Sequence, residues 1–97
     1  MEEIILSEQE IINAVCLHIA TKKELRPEDI QVELLYDDEY GYSAEVYARG
    51  RKQVLVEANL IEAIRFWLDQ EMQVDPFAVA LRLALDPEQG IIVHCQI

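Results

Sequence analysis

The side chains that could do chemistry in this chain are few, and their spacing keeps them apart. Cys16 and His18 stand two positions apart in a stretch with helical periodicity, which points them about 200° apart around the helix axis. His94 and Cys95 are neighbours in a stretch with strand character and point to opposite faces. Neither pair can act as a local nucleophile–base dyad or a chelate. Among the hydroxyls, Ser7 sits where a helix cap belongs, Thr21 lies near a helix end and Ser43 begins a strand beside a turn. No G-x-S-x-G elbow occurs. Asp37, Asp38 and Glu39 gather three carboxylates but lack the spacing of a calcium loop, and turn chemistry accounts for them. No catalytic residue, metal ligand or cofactor is expected, which leans against an enzyme.

Two other clusters invite contact rather than catalysis. Arg49, Gly50, Arg51 and Lys52 form the one basic cluster, at a hairpin tip, where a solvated turn or a partner contact are the alternatives. Tyr36, Tyr40 and Tyr42, with Tyr47 nearby, gather around the preceding hairpin. Tyrosine is favoured at interfaces, so Tyr36, Tyr40 and Tyr42 make a candidate recognition hairpin.

The elements that position these groups come from a repeat. Shifted by forty-nine positions, Glu8–Ala48 runs without a gap along Glu57–Ile97. The identities include Glu8/Glu57, Ala14/Ala63, Pro27/Pro76, Asp37/Asp86 and Gly41/Gly90. They fall at helix positions, at the Pro between elements and in a D-x-E-x-G turn. Ser7 with Glu10 reads as a capping box, and apolar residues at helical spacing carry a helix over residues 7–23. Pro27 blocks its continuation. From Ile30 the period becomes two, a turn follows at Asp37–Gly41, and a second strand runs over Tyr42–Arg49. Gln53–Glu57 reads as a short third strand, the connector that the repeat omits. A second helix carries Leu60, Ile61, Ile64, Trp67 and Leu68 inward. Asp75-Pro76 could open a third helix, but Phe77–Leu85 alternates large with small residues and aligns with the first hairpin, so it reads as a strand, as does Ile91–Ile97. The predicted fold is α+β: duplicated αββ units in the order α-β-β-(β)-α-β-β, forming one antiparallel sheet with two helices on one face. Residues 1–97 are expected to be a single domain, with the pseudo-repeat at 8–48 and 57–97.

Bulk properties narrow the function classes. At 97 residues there is room for one core. Apolar residues make up 52% of the chain, and the excess over what so small a core can hold points to a subunit interface. The formal charge of −11 repels phosphate backbones and anionic lipid, so neither nucleic acid nor membrane is an expected partner. Two cysteines, no secretory signal and no apolar run of about 20 residues point to a cytoplasmic setting.

Two surfaces remain. Ala14 and Leu17, with their repeat partners Ala63 and Phe66, lie off the helical core stripes. The far face of the sheet offers Leu35, Tyr47, Ala78, Ala80, Ala84 and Ile92, with Glu33, Glu45, Arg82 and His94 among them. Leu17, Phe66, Leu35, Tyr47, Ala78, Ala80, Arg82, Ile92 and His94 are therefore the candidate interface, with a second copy of the chain as the expected partner. Ile97 is expected to leave an unpaired edge strand.

Over LLYDDEYGYSAEVYARGR and EANLIEAIRFWL the chain resembles the YxcD-like family of small Bacillus-type proteins. The resemblance implies a firmicute cytosolic protein and assigns no activity or catalytic residue. The element order is also similar to that of acidic type III secretion chaperones, although the third helix usual there is missing, and topology does not carry function. The expected function is a non-catalytic, homo-oligomeric protein-interaction module. The alternatives are a small-molecule binder or minor enzyme with an intersubunit pocket formed by His94, Arg82, Glu45 and Tyr47, and a chaperone-like binder of an extended segment.

Overall fold

The computed structural model describes residues 2–97. In chain order the elements are β1 (Glu3–Leu6), α1 (Glu8–Lys23), β2 (Ile30–Asp37), β3 (Gly41–Ala48), β4 (Arg51–Val56), α2 (Glu57–Met72), β5 (Ala80–Asp86) and β6 (Gly90–Gln96), with a 3₁₀ turn at Pro27–Asp29. Among the described residues no helix is long and apolar enough to cross a membrane.

Local chemistry explains the boundaries. The Ser7 hydroxyl accepts from the Glu10 N–H at 3.2 Å, and the Glu10 carboxylate accepts from the Ser7 N–H at 3.0 Å. This is the predicted capping box, satisfying two of the N–H groups that a helix start leaves free. Helix α1 ends where Glu24 turns left-handed, at φ 55°, and the Leu25 N–H reaches back to the Ala20 carbonyl. Helix α2 has Val56 before it, a side chain with no acceptor. Only the reciprocal half of the box survives there, the Val56 N–H donating to Asn59 Oδ1 at 3.0 Å. The turns after β2 and β5 are each closed by one aspartate. Asp37 Oδ1 accepts from the Glu39 and Tyr40 N–H groups, and Asp86 Oδ1 from those of Glu88 and Gln89. The acidic turn is thus held together by its own carboxylate, as Asx turns are.

The predicted single sheet is corrected to two antiparallel sheets of three strands, in the orders β1-β6-β5 and β2-β3-β4. One strand of the first sheet is new: β1, a four-residue strand too short to announce itself by period. It pairs with β6 from Glu3↔Gln96 to Leu6↔Val93. Strand β4, read from sequence as a short third strand over Gln53–Glu57, runs over Arg51–Val56 and pairs with β3 from Ser43↔Val56 to Ala48↔Arg51. Strand β6 is consequently the middle of its sheet. Ile97, expected on an open edge, donates its N–H to the Glu2 carbonyl at 3.0 Å. Strand β5 begins at Ala80 rather than Phe77, because Pro76 and Phe77 form a turn in which the Asp75 carbonyl accepts from the Ala78 N–H.

Helix α1 packs against α2, β2 and β6, and α2 against β3 and β4. Ala14 and Ala63, expected off the stripe, are fully buried. Each helix covers both a helix and a sheet, so its buried arc is wider than a single-sided stripe. One continuous core joins Ile11, Val15, Leu60, Ile64 and Leu68 of the helices to Leu6, Val46, Leu55, Val93 and Cys95 of the strands.

Spacing recurs throughout. Helices α1 and α2 begin and end forty-nine positions apart. The pair Leu6↔Val93 has its counterpart in Leu55↔Ala44, and Glu3↔Gln96 in Lys52↔Tyr47. Gly41 and Gly90 share a φ of 79°.

Candidate functional site

The chemically capable side chains lie apart, and of them only Cys95 is fully buried. Cys95 is fully buried on β6, and burial pushes its thiol up to about 11. Cys16 is half-buried, its thiol also raised by burial, with Sγ 3.9 Å from the Ile30 carbonyl. Both cysteines are free. His18 joins the two helices: its ring meets Phe66 edge-on at 5.3 Å, and Nε2 lies 3.3 Å from Glu62. Phe66 is therefore partly consumed within the chain, which its off-stripe position did not reveal.

The split of the sheet also splits the predicted interface. Leu35 and Tyr47 lie on the outer face of β2-β3-β4, with Glu33, Glu45 and Val54. Ala80, Arg82, Ile92 and His94 lie on the outer face of β1-β6-β5. Ala78 precedes β5 and belongs to neither sheet, and Leu17 is half-buried on α1. Ile92 is only 4% exposed, yet it stands apart from the continuous core. The proposed grouping of His94 and Arg82 with Glu45 and Tyr47 therefore draws on two separate sheets. On one, the Tyr47 hydroxyl donates to Glu45 at 2.8 Å and Lys52 Nζ lies 2.8 Å from the same carboxylate. Lys52 first and Tyr47 second hold the Glu45 carboxyl below its ordinary range. On the other, Arg82 and His94 sit in register and border a shallow cleft of about 200 Å³ with Ala80, Leu81 and Gln96. His94 Nδ1 is 3.5 Å from Glu3.

The tyrosine hairpin is partly a unit. Tyr36 and Tyr42 are cross-strand partners with ring centroids 4.9 Å apart, and Tyr40 stands in the turn, 82% exposed.

An open apolar surface lies elsewhere, along α2. Ala58, Ile61, Phe66, Pro76 and Phe77 form a groove of about 490 Å³, edged by Glu62, Arg65 and Asp69. Phe77 is 92% exposed. Arg65 fixes the segment that carries it, donating through Nη1 to the Pro76 carbonyl and, at 2.9 Å, to the Val79 carbonyl. The Asp75 side chain adds a bond from the Phe77 N–H at 3.0 Å. Sequence reasoning placed Phe77 in the inward alternation of a strand. The signal that would have freed it was Asp75-Pro76, a turn opening in which Asp accepts and Pro presets φ.

Comparison with known proteins sets this geometry in a family. Residues 1–88 match the family described as protein of unknown function (DUF2653). The chain is 30% identical over 88 residues to the uncharacterized protein YxcD of Bacillus subtilis (strain 168), covering 90% of this chain and 86% of that one. The resemblance read from the sequence is thereby borne out. No solved structure matches.

Proposed function

The chain belongs to the DUF2653, YxcD-like family of proteins of unknown function, and on that premise we propose that it is a non-catalytic, homodimeric interaction module of the cytosol, one domain built from two copies of a βαββ unit. The repeated spacing of elements, register pairs and turn glycines supports the duplication. In this reading each unit gives its first strand to the other unit's hairpin, and both helices lie on the inner side of the two sheets.

The observation that carries the dimer is Phe77. An aromatic ring 92% exposed, beside an apolar groove on its own surface, supplies a knob and a hole in one patch. Such a patch is self-complementary: a twofold axis lets each Phe77 enter the α2 groove of the other copy. Burying each ring contributes roughly 2 kcal/mol, and Arg65 holds the knob in place so that little ordering cost remains. The dimer leaves the tyrosine hairpin free to contact another protein.

Sedimentation equilibrium on the purified chain and on Phe77→Asp tests this. The expected result is a dimer for the parent chain and, for the variant, a folded monomer whose melting curve does not depend on protein concentration. A monomeric parent chain, or a variant that stays dimeric, overturns it.

A further inference from the structure

We propose that the cleft between the C-terminal end of α1 and the β3–β4 hairpin binds a small organic anion, a carboxylate or phosphate monoester with an apolar body. The cleft measures about 260 Å³, enough for a small molecule and too little for an extended peptide. Its floor is apolar: Ile19 and Val46 are buried, and Leu25 and Ala48 are half-buried. Its rim carries Lys23, Arg49 and Arg51. Three of the chain's eight Lys and Arg residues thus surround one apolar pit in a protein of charge −11.

None of the three rim cations forms an ion pair among the described residues, whereas Lys22, Arg26 and Lys52 do. Lys23 at a helix C-terminus has an ordinary electrostatic role. Arg49 and Arg51 have no such role. The corresponding end of the other sheet, where Glu2 pairs with Ile97, carries Met72 and Glu2 in place of Lys23 and Arg51. The equivalent positions there hold no cation, so Arg51 is not required by the fold at that place.

Backbone conformation at Arg49 is the second, independent observation. Arg49 and Gly50 are the two residues between β3 and β4, and both have positive φ, 51° and 74°. A two-residue hairpin turn of this kind favours Asn-Gly, because a Cβ is strained in the left-handed region. An arginine held there against local preference is the pattern found where a site outweighs backbone comfort. The many carboxylates elsewhere do not cancel the attraction, since charges beyond about 8 Å are screened at physiological salt and an anion in the cleft touches the rim cations directly. The apolar floor adds selectivity for a ligand with a body as well as a charge.

The cleft and the α2 groove are formed by different residues, so this inference stands independently of the dimer. An amide chemical-shift titration of the full chain tests it with hexanoate and phenyl phosphate as probes, and with 1-hexanol and inorganic phosphate as controls. Saturable shifts centred on Leu25, Ala48, Arg49 and Gln53 are expected for both probes, weakening as salt rises. Each control should bind at least tenfold more weakly. Lys23→Gln and Arg51→Gln should each weaken the probes roughly tenfold, the loss of one charge-assisted contact. Arg49→Gly should weaken them while raising the melting temperature, a combination that general damage to the fold does not produce. Equal binding of 1-hexanol, absence of saturable shifts, or undiminished binding in the Lys23→Gln/Arg51→Gln double variant overturns the proposal.

Discussion

The Glu8 carboxylate accepts the Ile91 N–H at 3.0 Å across 83 positions of sequence. To do so it lies over Gly90, where an added Cβ would stand 2.5 Å from Glu8 Oε2. The first helical residue of one half therefore clamps the turn of the other half's hairpin, and the glycine is the space it needs. Glu57 approaches Gly41 in the same sense, but more loosely: a Cβ there would lie 3.6 Å from Glu57 Oε1.

Gly90→Ala combines a strained positive φ with displacement of the Glu8 carboxylate, and should cost about 2–4 kcal/mol. Gly41→Ala meets only the backbone strain and should cost about 1 kcal/mol. Urea denaturation of both variants checks the order. Equal losses would show that the Glu8 contact adds nothing to the turn.

The two helix starts differ in a way that can be exchanged. Ser7→Ala removes a hydroxyl that caps α1 and should lower stability by about 1 kcal/mol. Val56 occupies the same position before α2 and is 57% exposed. Val56→Ser supplies the missing acceptor and should raise stability by about 0.5–1 kcal/mol. Chemical denaturation midpoints should move in opposite directions for the two variants.

Phe66 and Phe77 border one groove but have different dependents. Phe66 packs on His18 of the other helix, so Phe66→Ala should cost about 1–2 kcal/mol. Phe77→Ala should change stability by under about 0.5 kcal/mol when measured on the monomer, since its ring is in solvent. Calorimetry at low protein concentration separates these effects from those of association.

Cys95 sets an alkaline dependence. Its folded thiol is raised to about 11 from an ordinary 9.0. Between those values the unfolded chain releases a proton that the native chain keeps, so stability falls as pH rises through that window. Cys95→Ala should be less stable at neutral pH but show a shallower alkaline loss. In a Cys16→Ala background, Cys95 should react with a disulfide reagent only as fast as the fold opens. Rapid labelling of the native chain would contradict the sealed position.

Local features of this fold were readable in the residues, and long-range ones were not. Ser7 with Glu10, the Asp37 and Asp86 turns and the switch of period at Ile30 each act within a few positions, and the structure has them where sequence put them. The sheet β1-β6-β5 could not be read this way, because it depends on β1 meeting β6 about ninety positions away. A strand of four residues shows too little alternation to declare itself. Phe77 misled for a related reason: the alternation from Phe77 to Leu85 is real, but Asp75-Pro76 and the Arg65 clamp hold its first residues in a turn. Ala14 and Ala63 were misplaced because a stripe drawn for one neighbour is too narrow for a helix that has two. Of the sites, the tyrosine hairpin was legible as a run of one residue type. The α2 groove was not, since its two walls come from separate segments.

The pairing of β1 with β6 also has a meaning in time. Synthesis delivers β1 well before β6, so the apolar strand Glu3–Leu6 is made long before its sheet partner. Sheet β2-β3-β4 can close around α1 while β5 and β6 are still being translated, but β1 must wait for β6. The nascent protein therefore carries β1 as an unpaired sticky strand until β6 emerges to cover it.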